Sequence, residues 1–220
     1  MKLGIYLPTY KRPHTLADVA KNIEETTFSD FVLYFGCEPD DKESIDAARK
    51  TGHKVVINKY DGDAGYSNTI QSIYEESSEP IFFHANDDFI FLKDWDKIPM
   101  SMFKTEWVQM VGVPQNEQDR TYSAICFTRR SYIKERSGVI DMPNRVFYPY
   151  HHNYQDTEFT YTAQARGVWA SSDAPCIIHQ HPGIVGGDKD ETYRKNDATV
   201  GQDEITFNSR KHLWQDLKEG

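Results

Sequence analysis

Residues 81–91, IFFHANDDFIF, place an acidic pair between two apolar runs. Apolar runs rich in Ile and Phe are typical of buried strands. Two adjacent carboxylates are costly to bury unless a partner offsets their desolvation, and a divalent cation with oxygen ligands is one such partner. We therefore expect Asn86, Asp87 and Asp88 to leave the strand with their oxygens close together. The alternative is a turn in which these residues only cap a helix or close a hairpin.

The sequence around this stretch alternates predicted strands and helices. Strands are predicted at residues 3–7, 31–35 and 55–57, and helices at residues 14–25 and 43–50. A glycine-containing loop at residues 62–68 opens a further predicted helix that runs to about residue 76. This alternation favours a mostly parallel sheet with helices on both faces. Ligands of such sheets bind at the carboxyl ends of the strands. We expect the acidic pair to lie at that edge.

The second half of the chain is less regular. Strands are predicted at residues 108–113, 124–127, 168–170 and 176–178, and helices at residues 130–136 and 154–166. A polar, glycine-rich segment at about 183–203 predicts a mobile loop over the site, and a C-terminal helix is predicted at about 205–217. No repeat or linker interrupts the sequence, so we expect residues 1–220 to form a single domain.

Composition narrows the classes of function. The net charge of −9 disfavours a nucleic acid or an anionic membrane as partner, although a basic cluster occurs within residues 129–136. The three cysteines have no metal-ligand spacing, and their odd number argues against a disulfide framework. No apolar run approaches the length of a membrane span, and the N-terminus is too short for a signal peptide. We therefore expect a soluble, cytoplasmic protein without a transmembrane segment.

Two further segments at the same sheet edge suit a nucleotide. The loop at residues 8–12 offers backbone N–H groups, the Tyr10 ring and the Arg12 guanidinium, which fit a stacked base and a phosphate. A rigid turn before a helix would explain the same loop. The helix start at Gly65 and Asn68 is favourable to anions. It lacks the lysine of a P-loop and the glycine spacing of a dinucleotide-binding fold, so neither class fits.

The last segment combines carboxylates with histidines. Asp156 and Glu158 open a predicted helix, where acidic residues also serve as caps. His179 and His181 follow an apolar strand and share one of its sides, because side chains alternate along a strand. A cap and a structural histidine would explain these residues separately. Around one cleft with the acidic pair, they favour a metal-bound, negatively charged leaving group with a base opposite.

The order of these segments resembles that in family 2 glycosyltransferases of the GT-A fold. The matching pieces are GIYLPTYKRP at residues 4–13 for the opening strand and nucleotide loop, GYSN at 65–68 for the helix start, IFFHANDD at 81–88 with Trp95 for the Asp-x-Asp strand, and QDTEF at 155–159 with Gly167 for the Glu-Asp-x-Asp segment. The resemblance covers roughly residues 3–181. It implies a GT-A fold with a single Rossmann-like mixed sheet flanked by helices.

The resemblance also implies an activity and a cofactor. The protein would be a hexosyl- or pentosyltransferase that uses a nucleotide-sugar donor, with UDP as the expected nucleotide, and Mn²⁺ or Mg²⁺. The metal ligands would be Asp87, Asp88 and His179. Asn86 stands at the first Asp of the family motif, so the register leaves open whether Asp87 or Asp88 is the main ligand. His181 is an alternative to His179.

The resemblance extends to the substrates. Contacts to the nucleotide-sugar are implied for Pro8, Thr9, Tyr10, Arg12, Glu38, Gly65, Asn68, Asn86 and Asp87. Glu38 would take the place of an Asp that binds the base in many members. Asp156 resembles the general base that deprotonates the acceptor hydroxyl, and Glu158 is the second candidate. Only one such base is expected and no carboxylate is placed as a nucleophile, so the transfer would invert the anomeric centre.

The acceptor and the enzyme class keep alternatives. The acceptor would be a glycan, a lipid-linked precursor or a hydroxylated base of phage DNA, with aromatic side chains of residues 148–154 stacking on a sugar or an extruded base. A nucleotidyltransferase also combines an α/β sheet with an acidic metal site. A non-catalytic nucleotide-sugar-binding module would need the fold but not Asp156.

Overall fold

The computed structural model describes residues 1–62, 65–114, 125–173, 176–180 and 191–219. Its strands are β1 Leu3–Thr9, β2 Phe31–Cys37, β3 Lys54–Ile57, β4 Ile81–His84, β5 Phe89–Phe91, β6 Met110–Gly112, β7 Cys126–Arg129, β8 Trp169–Ser171 and β9 Ile177–His179. Its helices are α1 Leu16–Thr26, α2 Lys42–Lys50, α3 Gly65–Glu76, α4 Lys97–Met102, α5 Arg130–Arg136, α6 Gln155–Ala165, α7 Glu191–Arg210 and α8 His212–Glu219.

Seven strands form one mixed sheet in the order β3-β2-β1-β4-β7-β6-β8. Strands β3, β2, β1 and β4 are parallel to one another, β7 runs antiparallel to β4 and β6, and β6 is parallel to β8. Strands β5 and β9 pair separately as an antiparallel ribbon. The prediction of a mostly parallel, mixed sheet is therefore confirmed.

The central strands are apolar throughout because helices cover both of their faces. In β1, Leu3, Ile5 and Leu7 pack into one core cluster with side chains of α1 and α2. Tyr6 points to the opposite face and packs with Ile70 and other side chains of α3. This division follows from the alternation of side chains along a strand. It leaves the carboxyl ends of β1, β2 and β4 together at one edge.

The C-terminal region differs from the prediction. The expected loop at residues 183–203 is wrong from Glu191 onward, where α7 begins, and residues 183–190 lie outside the described residues. The single helix expected at 205–217 is replaced by the end of α7 and by α8. Tertiary contacts hold α7 in place despite its polar composition, and such contacts override local propensity. Within the described ranges, no helix is both long and apolar enough to cross a membrane.

Candidate functional site

The acidic pair lies at the carboxyl edge of the parallel strands, as the sequence predicts. Strand β4 ends at His84, and a turn containing Asp87 and Asp88 leads into β5. The neighbouring strand β1 ends at Thr9, beside this turn. Strand β5 then pairs with β9, so that Phe89 lies opposite His179. The chain therefore brings loop 8–12, the acidic pair and His179 together.

Asp87 is buried and holds the loop that follows β1. The Thr9 hydroxyl donates to Asp87 Oδ2 at 2.8 Å, and the Arg12 guanidinium donates to Oδ1 at 2.7 Å. Burial raises the pKa of Asp87, the Arg12 charge opposes this effect, and the charge of Asp88 adds to it. Both oxygens of Asp87 are thus engaged by protein groups, which disfavours Asp87 as the main metal ligand.

Asp88 retains a free binding position. His179 Nε2 lies 3.2 Å from Asp88 Oδ2, and the Tyr193 hydroxyl donates to the same oxygen. Asp88 Oδ1 is buried and has no hydrogen-bond partner among the described residues. Burial alone would raise the pKa of Asp88, but the hydrogen bonds from His179 and Tyr193 lower it below its usual range. Asp88 is therefore an ionised carboxylate with one buried oxygen that a cation would satisfy.

The ligands present at this edge suit a hard divalent cation that also binds a diphosphate. One carboxylate oxygen of Asp88 and the imidazole of His179 are of the kinds that Mn²⁺ accepts. No group of three or more His, Cys, Asp or Glu side chains in the described part of the chain forms a complete metal site. An ion held here would also accept oxygen ligands from a diphosphate or from water. His181, the alternative ligand, lies outside the described residues.

Loop 8–12 has a fixed conformation. Lys11 adopts a left-handed backbone conformation with φ of 54°, and its N–H donates to the Asp41 carboxylate. Asp41 also caps α2 by accepting a hydrogen bond from the Ser44 N–H at 3.2 Å. Pro8 still belongs to β1, where it lies opposite Gly36. This anchoring presents the partly exposed Tyr10 ring at the sheet edge without further ordering of the loop.

Glu38 follows β2 and offers a hydrogen-bond acceptor beside α3. Its carboxylate accepts hydrogen bonds from the Asn58 amide at 3.0 Å and from the Thr69 hydroxyl at 2.9 Å. Gly65 begins α3 nearby, and a Cβ atom at this position would lie 3.5 Å from Glu38 Oε1. Glu38 and Gly65, both predicted as nucleotide contacts, thus lie side by side. The carboxylate is oriented by Asn58, which follows β3, and by Thr69 of α3.

The two asparagines predicted to contact the nucleotide-sugar lie in different surroundings. Asn68 is buried in α3, and its Oδ1 accepts a hydrogen bond from the Arg145 guanidinium at 2.8 Å. The Arg145 guanidinium carbon lies 4.9 Å from the centre of the Tyr60 ring. Asn86 is half-buried next to the acidic pair. Asn68 is thus hydrogen-bonded to Arg145, whereas Asn86 is adjacent to the acidic pair in the sequence.

Tyr66 lies near both the acidic pair and Asp156. Burial raises the pKa of Tyr66 well above its usual range, and the negative charges of Asp156 and Asp88 contribute to this increase. Asp156 lies in the first turn of α6, where its Oδ1 accepts a hydrogen bond from the Thr157 N–H at 2.8 Å. The charges of the candidate base, Asp156, and of the candidate metal ligand, Asp88, thus both raise the pKa of Tyr66. Tyr66 was not among the predicted site residues.

An uncharged histidine of β4, His84, forms a hydrogen bond with the Tyr66 hydroxyl. The Cys126 N–H donates to His84 Nε2 at 3.3 Å, so the proton of the ring lies on Nδ1. His84 Nδ1 lies 3.2 Å from the Tyr66 hydroxyl and donates to it. Burial lowers the pKa of His84 to about 3, which keeps the ring uncharged. Strand β4 therefore supports the site with an imidazole as well as with carboxylates.

Glu158, the second predicted candidate for the base, lies in a buried ion pair. Its side chain is 1% exposed and accepts hydrogen bonds from the Arg210 guanidinium at 2.8 and 2.9 Å. The Tyr150 hydroxyl donates to Glu158 Oε2 at 2.7 Å. Arg210 also pairs with Asp141 and lies over the Tyr148 ring. These contacts join α6 to α7 and engage both carboxylate oxygens of Glu158.

Replacing Arg210 by Met is expected to lower the free energy of unfolding by about 3–5 kcal/mol, because it leaves the buried Glu158 carboxylate without its cation. Urea denaturation measures this change. Arg49→Met is the matched control, because Arg49 and Asp46 form an exposed pair on α2, and it should change the free energy by less than about 1 kcal/mol. Equal effects of the two substitutions would contradict the structural role of Glu158.

Asp203 attaches α7 to the loop that precedes α6. Its carboxylate is 1% exposed and accepts hydrogen bonds from the backbone N–H groups of His151, His152 and Asn153 at 2.8–3.0 Å. His151 Nδ1 lies 2.8 Å from the same carboxylate. Phe207, one turn further on, stacks on Tyr154. No residue pattern in the sequence predicts this anchor, because its donors are mainly backbone N–H groups.

The Asp203 anchor predicts a pH-dependent stability. Burial alone would raise the pKa of Asp203, but the backbone donors and His151 lower it below its usual range. The stabilisation is therefore complete above the unfolded pKa of about 3.9 and is lost as the pH falls through the folded pKa. In urea denaturation, Asp203→Asn should be less stable than wild type at pH 7, and the difference should shrink at lower pH. A difference that stays constant with pH would contradict this anchor.

The tyrosines of residues 148–154 largely pack against other side chains of the protein. Tyr150 is buried, Tyr148 lies under Arg210 with 3.7 Å between its ring centre and the guanidinium carbon, and the rings of Tyr154 and Phe207 are stacked with centres 4.8 Å apart. These contacts disfavour the predicted stacking of an acceptor on the tyrosines. His152, whose ring packs edge-on to Tyr66, is partly exposed.

Comparisons with known proteins identify the fold. No model of a known protein family matches the sequence, and no curated protein matches it. Among solved structures, glucosyl-3-phosphoglycerate synthase from Mycobacterium tuberculosis, in complex with Mn²⁺, UDP-glucose and phosphoglyceric acid, matches with a TM-score of 0.69 at 13% identity, over 95% of this chain and 79% of that one. TarS of S. aureus in complex with UDP matches with a TM-score of 0.67 at 12% identity, over 96% and 72%. The chain therefore has the GT-A fold.

Proposed function

We propose that this protein is a metal-dependent glycosyltransferase that moves a sugar from a nucleotide-sugar, with UDP as nucleotide, to an acceptor hydroxyl. The observation that carries the proposal is the unpartnered, buried Oδ1 of Asp88, next to His179 at the carboxyl edge of β4. Similar solved structures of glucosyl-3-phosphoglycerate synthase contain UDP with Mn²⁺ in one case and with Mg²⁺ in another. Donors of this class bring a diphosphate that would complete the coordination of such an ion.

Asp88 and His179 would hold Mn²⁺ or Mg²⁺, which when bound neutralises charge on the departing nucleoside diphosphate. Glu38 would accept a hydrogen bond from the base, and Tyr10 would stack on it, because both lie at the ends of adjacent strands. Arg12, held by Asp87, would contribute positive charge near the phosphates. These roles are consistent with the side-chain contacts described above.

Asp156 is the candidate base of the proposed reaction. It opens α6, and it is the one of the two predicted carboxylates that is partly exposed. Asp156 would accept the proton of the acceptor hydroxyl as that oxygen attacks the anomeric carbon and the bond to the diphosphate breaks. Attack from the face opposite the leaving group inverts the anomeric centre. The proposed acceptor classes are a glycan, a lipid-linked precursor and a modified DNA base.

A panel of nucleoside diphosphates and nucleotide-sugars, each with Mn²⁺ and again with EDTA, tests the donor site through thermal stability. A ligand present at about 100 times its Kd should add roughly 2.7 kcal/mol of stability. We expect a shift in melting temperature with UDP or a UDP-sugar that EDTA abolishes. A shift that is independent of the metal would contradict the proposed cation site. The absence of any shift would contradict the nucleotide-sugar site as a whole.

A further inference from the structure

Helix α7 reaches the acidic pair through Tyr193. The Tyr193 hydroxyl donates to Asp88 Oδ2, the oxygen that His179 also contacts. Both contacts fall on Oδ2, and the hydrogen bond from the Tyr193 hydroxyl orients the carboxylate both when His179 donates to it and when His179 binds the cation. They leave Oδ1 buried and unpartnered. The phenol thus determines which oxygen of Asp88 is presented to a ligand.

The ring of Tyr193 contacts the other half of the acidic pair. The Arg12 guanidinium carbon lies 4.6 Å from the ring centre, within the range of a cation–π contact. Arg12 in turn donates to Asp87 at 2.7 Å. Tyr193 therefore supports Asp88 directly and Asp87 through Arg12.

The rest of α7 fixes the position of Tyr193. Asp203 and Tyr193 are ten residues apart in the sequence, which corresponds to about 15 Å along an α-helix. Asp203 binds the backbone of the loop before α6, and Arg210 binds Glu158 within α6. The N-terminal end of α7 thus contacts Asp88, and its C-terminal end contacts α6, the helix that carries Asp156.

We infer that Tyr193 is a positioning residue of the donor site, which orients the Asp88 carboxylate for the divalent cation of a nucleoside diphosphate. This inference rests on the proposed function. Groups that hydrogen-bond a metal-binding side chain typically change metal affinity by about 10–100-fold when they are removed. The phenol is such a group, and α7 holds it at a fixed distance from the contacts around Asp156.

Titration of Mn²⁺, followed by its electron paramagnetic resonance signal in the presence and absence of UDP, tests this inference. Tyr193→Phe removes the hydroxyl and keeps the ring that stacks on Arg12. We expect the Kd for Mn²⁺ to rise by about 10–100-fold. The matched control is Tyr34→Phe, which removes a tyrosine hydroxyl that donates to the carboxylate of Glu79, and this variant should bind Mn²⁺ as wild type does.

The outcomes separate this inference from the proposed function. If wild type binds Mn²⁺ and Tyr193→Phe binds it equally well, Tyr193 has no positioning role, although the proposed function stands. Tighter binding by the variant would show that the hydroxyl competes with the ion and would also overturn the inference. If wild type binds no Mn²⁺ with or without UDP, both fail. A lower melting temperature of Tyr193→Phe without a change in Kd would indicate a purely structural contact.

Discussion

Asp156→Asn is expected to lower the turnover number by about 10²–10⁴-fold, the contribution typical of a general base. The amide cannot accept the acceptor proton, but it retains the size of the carboxyl group. Donor binding should stay close to wild type, because the cation and nucleotide contacts assigned to the donor lie just after β1 and β2, on β9 and in the turn after β4. Initial rates over a range of donor concentrations would separate the two effects as a change in kcat without a change in KM for the donor.

The matched control for Asp156→Asn is Asp46→Asn. Asp46 lies on α2, where its side chain is 67% exposed and pairs only weakly with Arg49. This substitution should leave both kcat and KM unchanged. An Asp156→Asn variant with normal turnover would exclude Asp156 as the base. Glu158, the other carboxylate of the predicted pair, could not then replace Asp156, because Arg210 holds it in an ion pair.

Asp88→Asn is expected to weaken metal-dependent donor binding by about 100-fold or more, equivalent to several kcal/mol of lost charge stabilisation. The substitution removes the negative charge next to His179 and replaces one oxygen with an NH₂ group that cannot bind a cation. Isothermal titration of UDP in Mn²⁺, and again in EDTA, measures the effect. At every metal concentration, the variant should bind UDP only as weakly as wild type binds it in EDTA.

Asp156→Asn serves as the comparison for Asp88→Asn, because it changes a carboxylate of the same site without removing a proposed metal ligand. It should retain the Mn²⁺-dependent gain in UDP affinity. Asp87→Asn should also retain much of that gain, because both Asp87 oxygens contact Thr9 and Arg12 in the structure. A larger loss of affinity in Asp87→Asn than in Asp88→Asn would reverse the assignment of the main ligand.

The sheet and its acidic edge could be predicted because local sequence determines them. Alternation of strands and helices over residues 3–91 indicates parallel strands, and their carboxyl ends must share an edge. The turn at Asp87 and Asp88 follows directly from the apolar run of β4. The segments that resemble glycosyltransferases also lie in this part of the chain and in α6. All of these features depend on residues close together in the sequence.

The features that were missed depend on distant contacts. Glu158 has the sequence position of a catalytic residue, but Arg210, 52 residues away, holds it as a buried ion pair. Helix α7 is polar enough to suggest a loop, yet Asp203 and Arg210 attach it to α6 and to the loop before it. Tyr193 donates a hydrogen bond to Asp88, from which it is separated by 105 residues in the sequence. No local pattern encodes such partners, so the polar C-terminal segment was interpreted as a loop.

The most direct test of the proposed function is the release of UDP from a UDP-sugar by wild type in Mn²⁺, compared with Asp88→Asn and Asp156→Asn. We expect slow release with water as acceptor, dependent on Mn²⁺ and strongly reduced in both variants, for at least one UDP-sugar. Asp88→Asn should lose binding, whereas Asp156→Asn should bind the donor and fail to turn it over. Tight, metal-dependent binding of UDP-sugars without any release or transfer by wild type would contradict the proposed activity and identify a nucleotide-sugar-binding module.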